Sequence, residues 1–239
     1  SSYSVTGVQT CALPILAILL IWITIMASTQ FITEKLSAQI PLSQDILRYA
    51  FIGLSDIVII AAAIALARIY FHDGVNGLGF NPCTIGKDII PAILYFLGVY
   101  PFILIAVYIV YYIGQKFIGP DFQLQTNEGI TVLLDNSQPI ARAITITFII
   151  AVIPVFEETI FRGFVQTAIR RQTQNPLLAV LATSAIFAVL HPWMHWPALF
   201  LLAMCLGIAY EKSGSLFRSI FIHSLFNITS ISFALLSQT

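Results

Sequence analysis

The sequence predicts an all-α fold, a polytopic bundle of about seven membrane-spanning helices. Three observations predict it. Of the 239 residues, 58% are hydrophobic and only 9% are charged, where an ordinary soluble domain carries about 25% charged residues. A chain so apolar cannot clothe a water-facing surface. Its apolar residues also gather in runs near the ~20 residues that a helix needs to cross a bilayer. Finally, the few ionisable residues inside those runs are grouped rather than scattered. The net charge of zero gives no reason to expect a nucleic-acid partner. Cys11, Cys83 and Cys205 show no paired spacing, so neither a disulfide framework nor a CxxC metal site is expected.

The segments follow in order. Residues 5–15 resemble the translation of a sequencing-library adapter, so 1–15 are expected to be a non-native tail and 16–239 a single membrane domain. Residues 13–29 supply the first candidate span. Residues 46–71 supply the second, with Asp56 inside it and no partner assigned. The third, 89–113, is interrupted by Pro101, which a membrane helix tolerates. Residues 114–138 contain Asp121, Glu128 and Asp135 and read as an extramembrane loop. A long helix over 139–171 is apolar in its first half and holds Glu157, Glu158 and Arg162 in its second. Residues 176–191, 196–210 and 216–236 complete the set. Lys and Arg near helix ends favour the cytoplasm. Arg68, Lys87, Arg170, Arg171, Lys212 and Arg218 outnumber Lys35, Arg48, Lys116 and Arg142 on the other side. This puts the 172–175 turn in the cytoplasm and the acidic loop outside.

Ionisable groups within a membrane segment are costly and point to function. Glu157, Glu158 and Arg162 lie on the fourth segment, His191 ends the fifth, and His223 and Asn227 lie on the seventh. With a turn at 172–175, Glu157 and His191 both sit roughly 22–25 Å from it, and His223 and Asn227 lie roughly 12–18 Å into a helix that starts on the same side. The three groups can therefore converge in one layer. Glu158 and Arg162 are spaced i,i+4 and can pair; His223 and Asn227 share that spacing. Glu157 and Glu158 point ~100° apart on a helix, so one can face a site while the other pairs with Arg162. A carboxylate can act as general base on water, and imidazole or carboxamide can stabilise an oxyanion or orient that water. The same donors, Glu157, His191 and His223, can instead ligate Zn²⁺, although no HExxH is present.

The motifs Glu157-Glu158-xxx-Arg162, Phe187-xxx-His191 and His223-xxx-Asn227 resemble, in this order, the CAAX prenyl protease type 2 family, also called CPBP or Abi proteins. The resemblance covers about residues 140–230. It implies a multi-pass membrane endopeptidase acting on a membrane-associated, CAAX-like or leader peptide. It also implies that Glu157 activates the water, His191 assists, and His223 and Asn227 complete the site. No cofactor is favoured, with Zn²⁺ as the alternative. The expected location is the cell membrane with the site opening to the cytoplasm. Two rivals remain: a non-catalytic immunity or scaffold protein on the same fold, and a proton-coupled transporter, which would favour an inverted repeat that the sequence lacks. Among the remaining polar and aromatic residues, His72 reads as a turn residue and His195 as interfacial. Phe156, Phe161 and Phe187 read as packing, and Trp193 and Trp196 as an interfacial aromatic belt.

Overall fold

The computed structural model describes residues 77–237, except 126, 127, 136 and 137, together with separate helical positions between 24 and 68. The tail at 1–15, Asp56 and His72 lie outside the described residues, as does most of each of the first two expected spans. Of the described residues, 89% are helical and none is in a strand. The protein is thus an all-α bundle. Numbered from the first fully described helix, α1 is Ile85–Phe117, α2 Glu128–Asp135, α3 Pro139–Thr173, α4 Pro176–Val189, α5 Trp196–Ser213 and α6 Leu216–Leu236.

Among the described residues, four helical stretches are long and apolar enough to cross a membrane: Pro82–Phe117, Pro139–Thr173, Trp193–Ser213 and Leu216–Leu236. Helix α1, with 33 residues, is roughly 50 Å long and exceeds the ~30 Å hydrocarbon layer. It carries Pro91 and Pro101 within it without ending. Large apolar side chains such as Leu94, Phe102 and Ile105 point outward from α1, as a lipid-facing surface requires. Helix α4 is different. Its 14 residues reach only about 21 Å, so the expected segment 176–191 is shorter than a span. The α4–α5 hairpin tip therefore lies where the site lies.

The turns follow local chemistry. Asn175 caps α4 by accepting from the Leu178 amide at 3.1 Å, and Pro176 occupies the first helical position, where its missing N–H costs nothing. Gly214, at φ +64°, closes α5 in the left-handed region. At the start of α6, Ser215 donates to Asp88 Oδ2 at 2.5 Å, and Arg218 Nη2 meets Asp88 Oδ1 at 2.8 Å. That latch fixes α6, and with it His223, against the first turn of α1.

The stretch 114–138 departs from the expected loop. Part of it is α2, whose Ile130 and Leu133 are buried against Ile149 of α3 and Ile231 of α6. The i,i+3 and i,i+4 spacing of Ile130, Leu133 and Leu134 makes an apolar stripe, which overrides the acidic character of the segment. The main core lies among α1, α5 and α6, around Phe96, Ile103, Leu202, Leu206 and Ile222.

Where α1 meets the chain that follows it, contact is close. A Cβ on Gly114 would lie 2.2 Å from the Phe122 ring, and that buried ring is backed by Trp193, with centroids 6.5 Å apart. Gly114→Ala is expected to destabilise the protein by about 1–3 kcal/mol through overpacking. Gly86→Ala, with nothing within 4 Å of its Cβ, is expected to be neutral or slightly stabilising. Thermal unfolding of both variants in detergent checks the difference.

Candidate active site

The site begins with a proline. Pro154 sits inside α3, where it cannot donate to a carbonyl one turn earlier. The adjacent stretch Phe148–Val152 is a π-helical turn. The carbonyls left open are taken by α6: Ser224 Oγ donates to Ile150 O at 2.7 Å, and Asn227 Nδ2 donates to Ile149 O at 2.7 Å. Inside a membrane an unsatisfied carbonyl is expensive, so these two bonds lock α6 in register against α3. A second π-helical segment, Thr159–Gln166, follows the glutamates, and there Thr167 Oγ1 donates to Arg162 O at 3.0 Å. π-helical turns are rare and concentrate at functional sites.

That register brings His223 between the two adjacent glutamates. Its Nδ1 lies 2.9 Å from Glu158 Oε1, and its Nε2 lies 3.7 Å from Glu157 Oε2. Glu158 and Arg162 are both fully buried, and Arg162 Nη1 donates to the same Glu158 Oε1 at 3.0 Å. An ionised carboxylate accepts both hydrogens, which puts the neutral imidazole proton of His223 on Nδ1. Arg162 Nη2 also donates to Ala203 O of α5 at 3.1 Å. Glu157 is the more open of the two carboxylates, with its side chain 15% exposed. The ~100° offset between neighbouring helical residues thus separates a gripping glutamate from one that faces outward.

His191 lies just beyond α4. Its Nδ1 donates to Phe187 O at 2.8 Å, and its own carbonyl accepts from Trp196 Nε1 at 2.7 Å. Phe187 is fully buried and ties the site together. Its ring lies 4.8 Å from the His191 ring and 6.1 Å from the His223 ring, and the Arg162 guanidinium carbon lies 5.1 Å from its centroid. Phe161 meets it edge-on at 5.0 Å. Both histidines therefore spend Nδ1 on an oxygen, and His223 turns Nε2 toward Glu157. The structure joins Glu157, Glu158, Arg162 and His223 directly, and His191 through Phe187. It commits the Asn227 Nδ2 to the Ile149 carbonyl, which leaves the carboxamide oxygen and a second N–H.

Sequence reasoning passed over two participants. Ser224 pairs with Ile150 O. Gln166, fully buried, donates to Gly207 O at 3.1 Å. The i,i+4 spacing from Arg162 could have flagged Gln166; nothing local flags Ser224. His195, expected to be interfacial, has a buried Nε2 with no hydrogen-bond partner among the described residues.

A catalytic zinc needs three protein donors and an open position. Among the described residues, no three His, Cys, Asp or Glu side chains are gathered to hold a metal. Glu157 faces His223 Nε2 at 3.7 Å, while Glu158 holds the opposite ring nitrogen.

The buried ion pair gives a stability prediction. Arg162→Ala is expected to cost about 3–5 kcal/mol, because Glu158 is left as an unpaired buried charge. Arg162→Met combined with Glu158→Gln is expected to regain most of that, as apolar replacement of a buried pair often does. The yield of folded protein and its unfolding midpoint check both.

Residues 139–229 match the family model for type II CAAX prenyl endopeptidase Rce1-like proteins. No curated protein and no solved structure matches the chain. The matched segment begins with α3 and ends in α6, so it contains every residue of the three motifs and the π-helical turns between them. Over that segment the chain is similar to the Rce1-like type II CAAX prenyl endopeptidases.

Proposed function

We propose that the protein hydrolyses a peptide bond of a membrane-associated peptide with a water activated by Glu157. The observation that carries this is the position of His223. Clamped by Glu158 at Nδ1, it presents Nε2 toward Glu157 Oε2 at 3.7 Å, so one water can bond to both groups. Glu157 takes a proton from that water as general base. The water oxygen bonds to the scissile carbonyl carbon. When the carbon–nitrogen bond breaks, Glu157 passes the proton to the leaving amine. His191, fixed through Nδ1 to Phe187 O, offers Nε2–H in its protonated form to the developing oxyanion. Asn227 acts chiefly by holding the π-helical turn before Glu157, through Ile149 O. Its remaining N–H is a second donor for the substrate carbonyl. The site is proposed to open to the cytoplasm, on the side of Arg170 and Arg171.

The substrate side of this reading is a peptide held at the bilayer, CAAX-like or a leader. A silent immunity or scaffold protein would have no use for a solvent-reaching Glu157 beside a clamped imidazole, which favours the enzyme.

Two tests follow. Glu157→Gln keeps shape and removes the base. In liposomes carrying a library of membrane-inserted peptides, it is expected to cut cleavage by at least ~10²–10⁴-fold with an unchanged unfolding midpoint. Full activity in this variant removes the general-base assignment. Exhaustive chelation is expected to leave activity unaffected. Stoichiometric zinc in the purified protein, with activity lost on chelation and restored by zinc, overturns the metal-free mechanism.

A further inference from the structure

A buried hydrolytic site consumes one water per turnover, and the geometry between α3, α4 and α5 shows where water can reach it. Four side-chain atoms in this junction are buried and have no hydrogen-bond partner among the described residues: Glu158 Oε2, Arg162 Nε, Gln166 Oε1 and Thr183 Oγ1. Their residues are all at most 1% exposed. Native proteins seldom leave such atoms without a partner, protein or water.

These atoms are not independent. Glu158, Arg162 and Gln166 succeed one another at i,i+4 along α3. Arg162 and Gln166 make parallel bonds to α5, to Ala203 O and Gly207 O, themselves one turn apart. Helix α4 runs back along this ladder. Phe187 lies over Arg162, while Val180 lies near Gly207: its Cγ1 is 3.1 Å, and Gln166 Oε1 2.8 Å, from the point where a Gly207 Cβ would stand. Thr183 falls between Phe187 and Val180, one turn before the former, and so faces the step from Arg162 to Gln166. The inner end of the seam is the Glu158 carboxylate that grips His223. At the outer end Gln166 Nε2 reaches Glu211 Oε1 at 3.2 Å, and Glu211 pairs with Arg170 at 3.7 Å with both side chains partly exposed.

We propose that this seam is a hydrated channel, holding ordered waters on Glu158, Arg162, Thr183 and Gln166 and supplying the hydrolytic water from the Arg170–Glu211 end. A buried water needs 2–4 polar partners, and the seam offers two carbonyl-type acceptors, one guanidinium donor and one hydroxyl. The supply role rests on the protease reading; the hydration does not.

Two experiments separate those claims. In protein with Cys11, Cys83 and Cys205 replaced, Thr183→Cys is treated in membrane vesicles with the water-soluble thiol reagent methanethiosulfonate ethylammonium. Reaction requires the thiolate, and hence water. Thr183→Cys is expected to react at least about tenfold faster than a lipid-facing Ile105→Cys, and adding Gln166→Leu is expected to slow it. A rate equal to that of Ile105→Cys overturns the channel. This outcome does not depend on cleavage, so it stands even if the wild-type chain cuts no peptide, which would sink the protease reading alone. In the cleavage assay, Thr183→Val keeps side-chain shape and is expected to lower kcat about three- to tenfold, the effect of one lost water hydrogen bond. KM and the unfolding midpoint are expected not to change. An unchanged kcat overturns the supply role, as does a loss that merely follows a lowered unfolding midpoint.

Discussion

The structure is organised around one requirement: a glutamate and an arginine buried together in a medium that solvates neither. Removing each ion from water costs several kcal/mol even after relaxation. Glu158 and Arg162, both at zero exposure, offset part of that cost through bonds to further neighbours. Glu158 takes a hydrogen from His223 of α6, and Arg162 gives one to Ala203 O of α5. In lipid, apolar surface provides little drive for helices to associate. The pair supplies that drive at one level of the bundle, and in doing so fixes the orientation of the His223 imidazole. Glu158 and Glu157, though adjacent, therefore sit in different surroundings: one is fully buried and the other is partly open.

A second constraint operates on the backbone. Pro154 withholds an N–H three residues before Glu157, and the carbonyls of Ile149 and Ile150 have to find donors elsewhere. Ser224 and Asn227 are those donors, placed one turn apart on the helix that carries His223. The histidine therefore arrives opposite the glutamates with no freedom to slide. The His-xxx-Asn motif is in this sense one device: the first residue meets the glutamates while the last holds the register that brings it there.

Much of this was legible in the residues. Segment lengths gave the helical bundle, and counting from the 172–175 turn put Glu157 and His191 at one depth. The i,i+4 rule gave the Glu158–Arg162 pair, observed at 3.0 Å. What was not legible depended on relations between helices. The acceptor for Asn227 is a carbonyl 78 residues away, and no spacing within α6 names it. The Gln166–Gly207 bond likewise follows from how α3 rests on α5. Helix α2 was hidden for another reason: Asp121, Glu128 and Asp135 dominate its neighbourhood, while the short stripe of Ile130, Leu133 and Leu134 decides its packing. Composition averaged over a segment loses the face on which the apolar residues fall.

The shortness of α4 completes the argument. A helix of 14 residues ends well short of a full span, and it leaves His191 half-buried in an irregular turn between the exposed Leu190 and Trp193. Irregular backbone at that depth survives only if it satisfies itself or lines a polar cavity. The tip does the first. His191 N bonds to Ala188 O, His195 N to Pro192 O, and Trp196 Nε1 to His191 O, while Pro192 has no N–H to satisfy. Trp193, at the same tip, rests against Phe122 of the chain following α1. A regular helix through this point would direct successive carbonyls along its own axis and leave none for an indole. Ending α4 at Val189 instead frees the His191 carbonyl for Trp196 and leaves the His191 ring anchored to Phe187 O alone. Phe187 also contacts the His223 ring, so the early stop of α4 brings both histidines onto one phenyl ring.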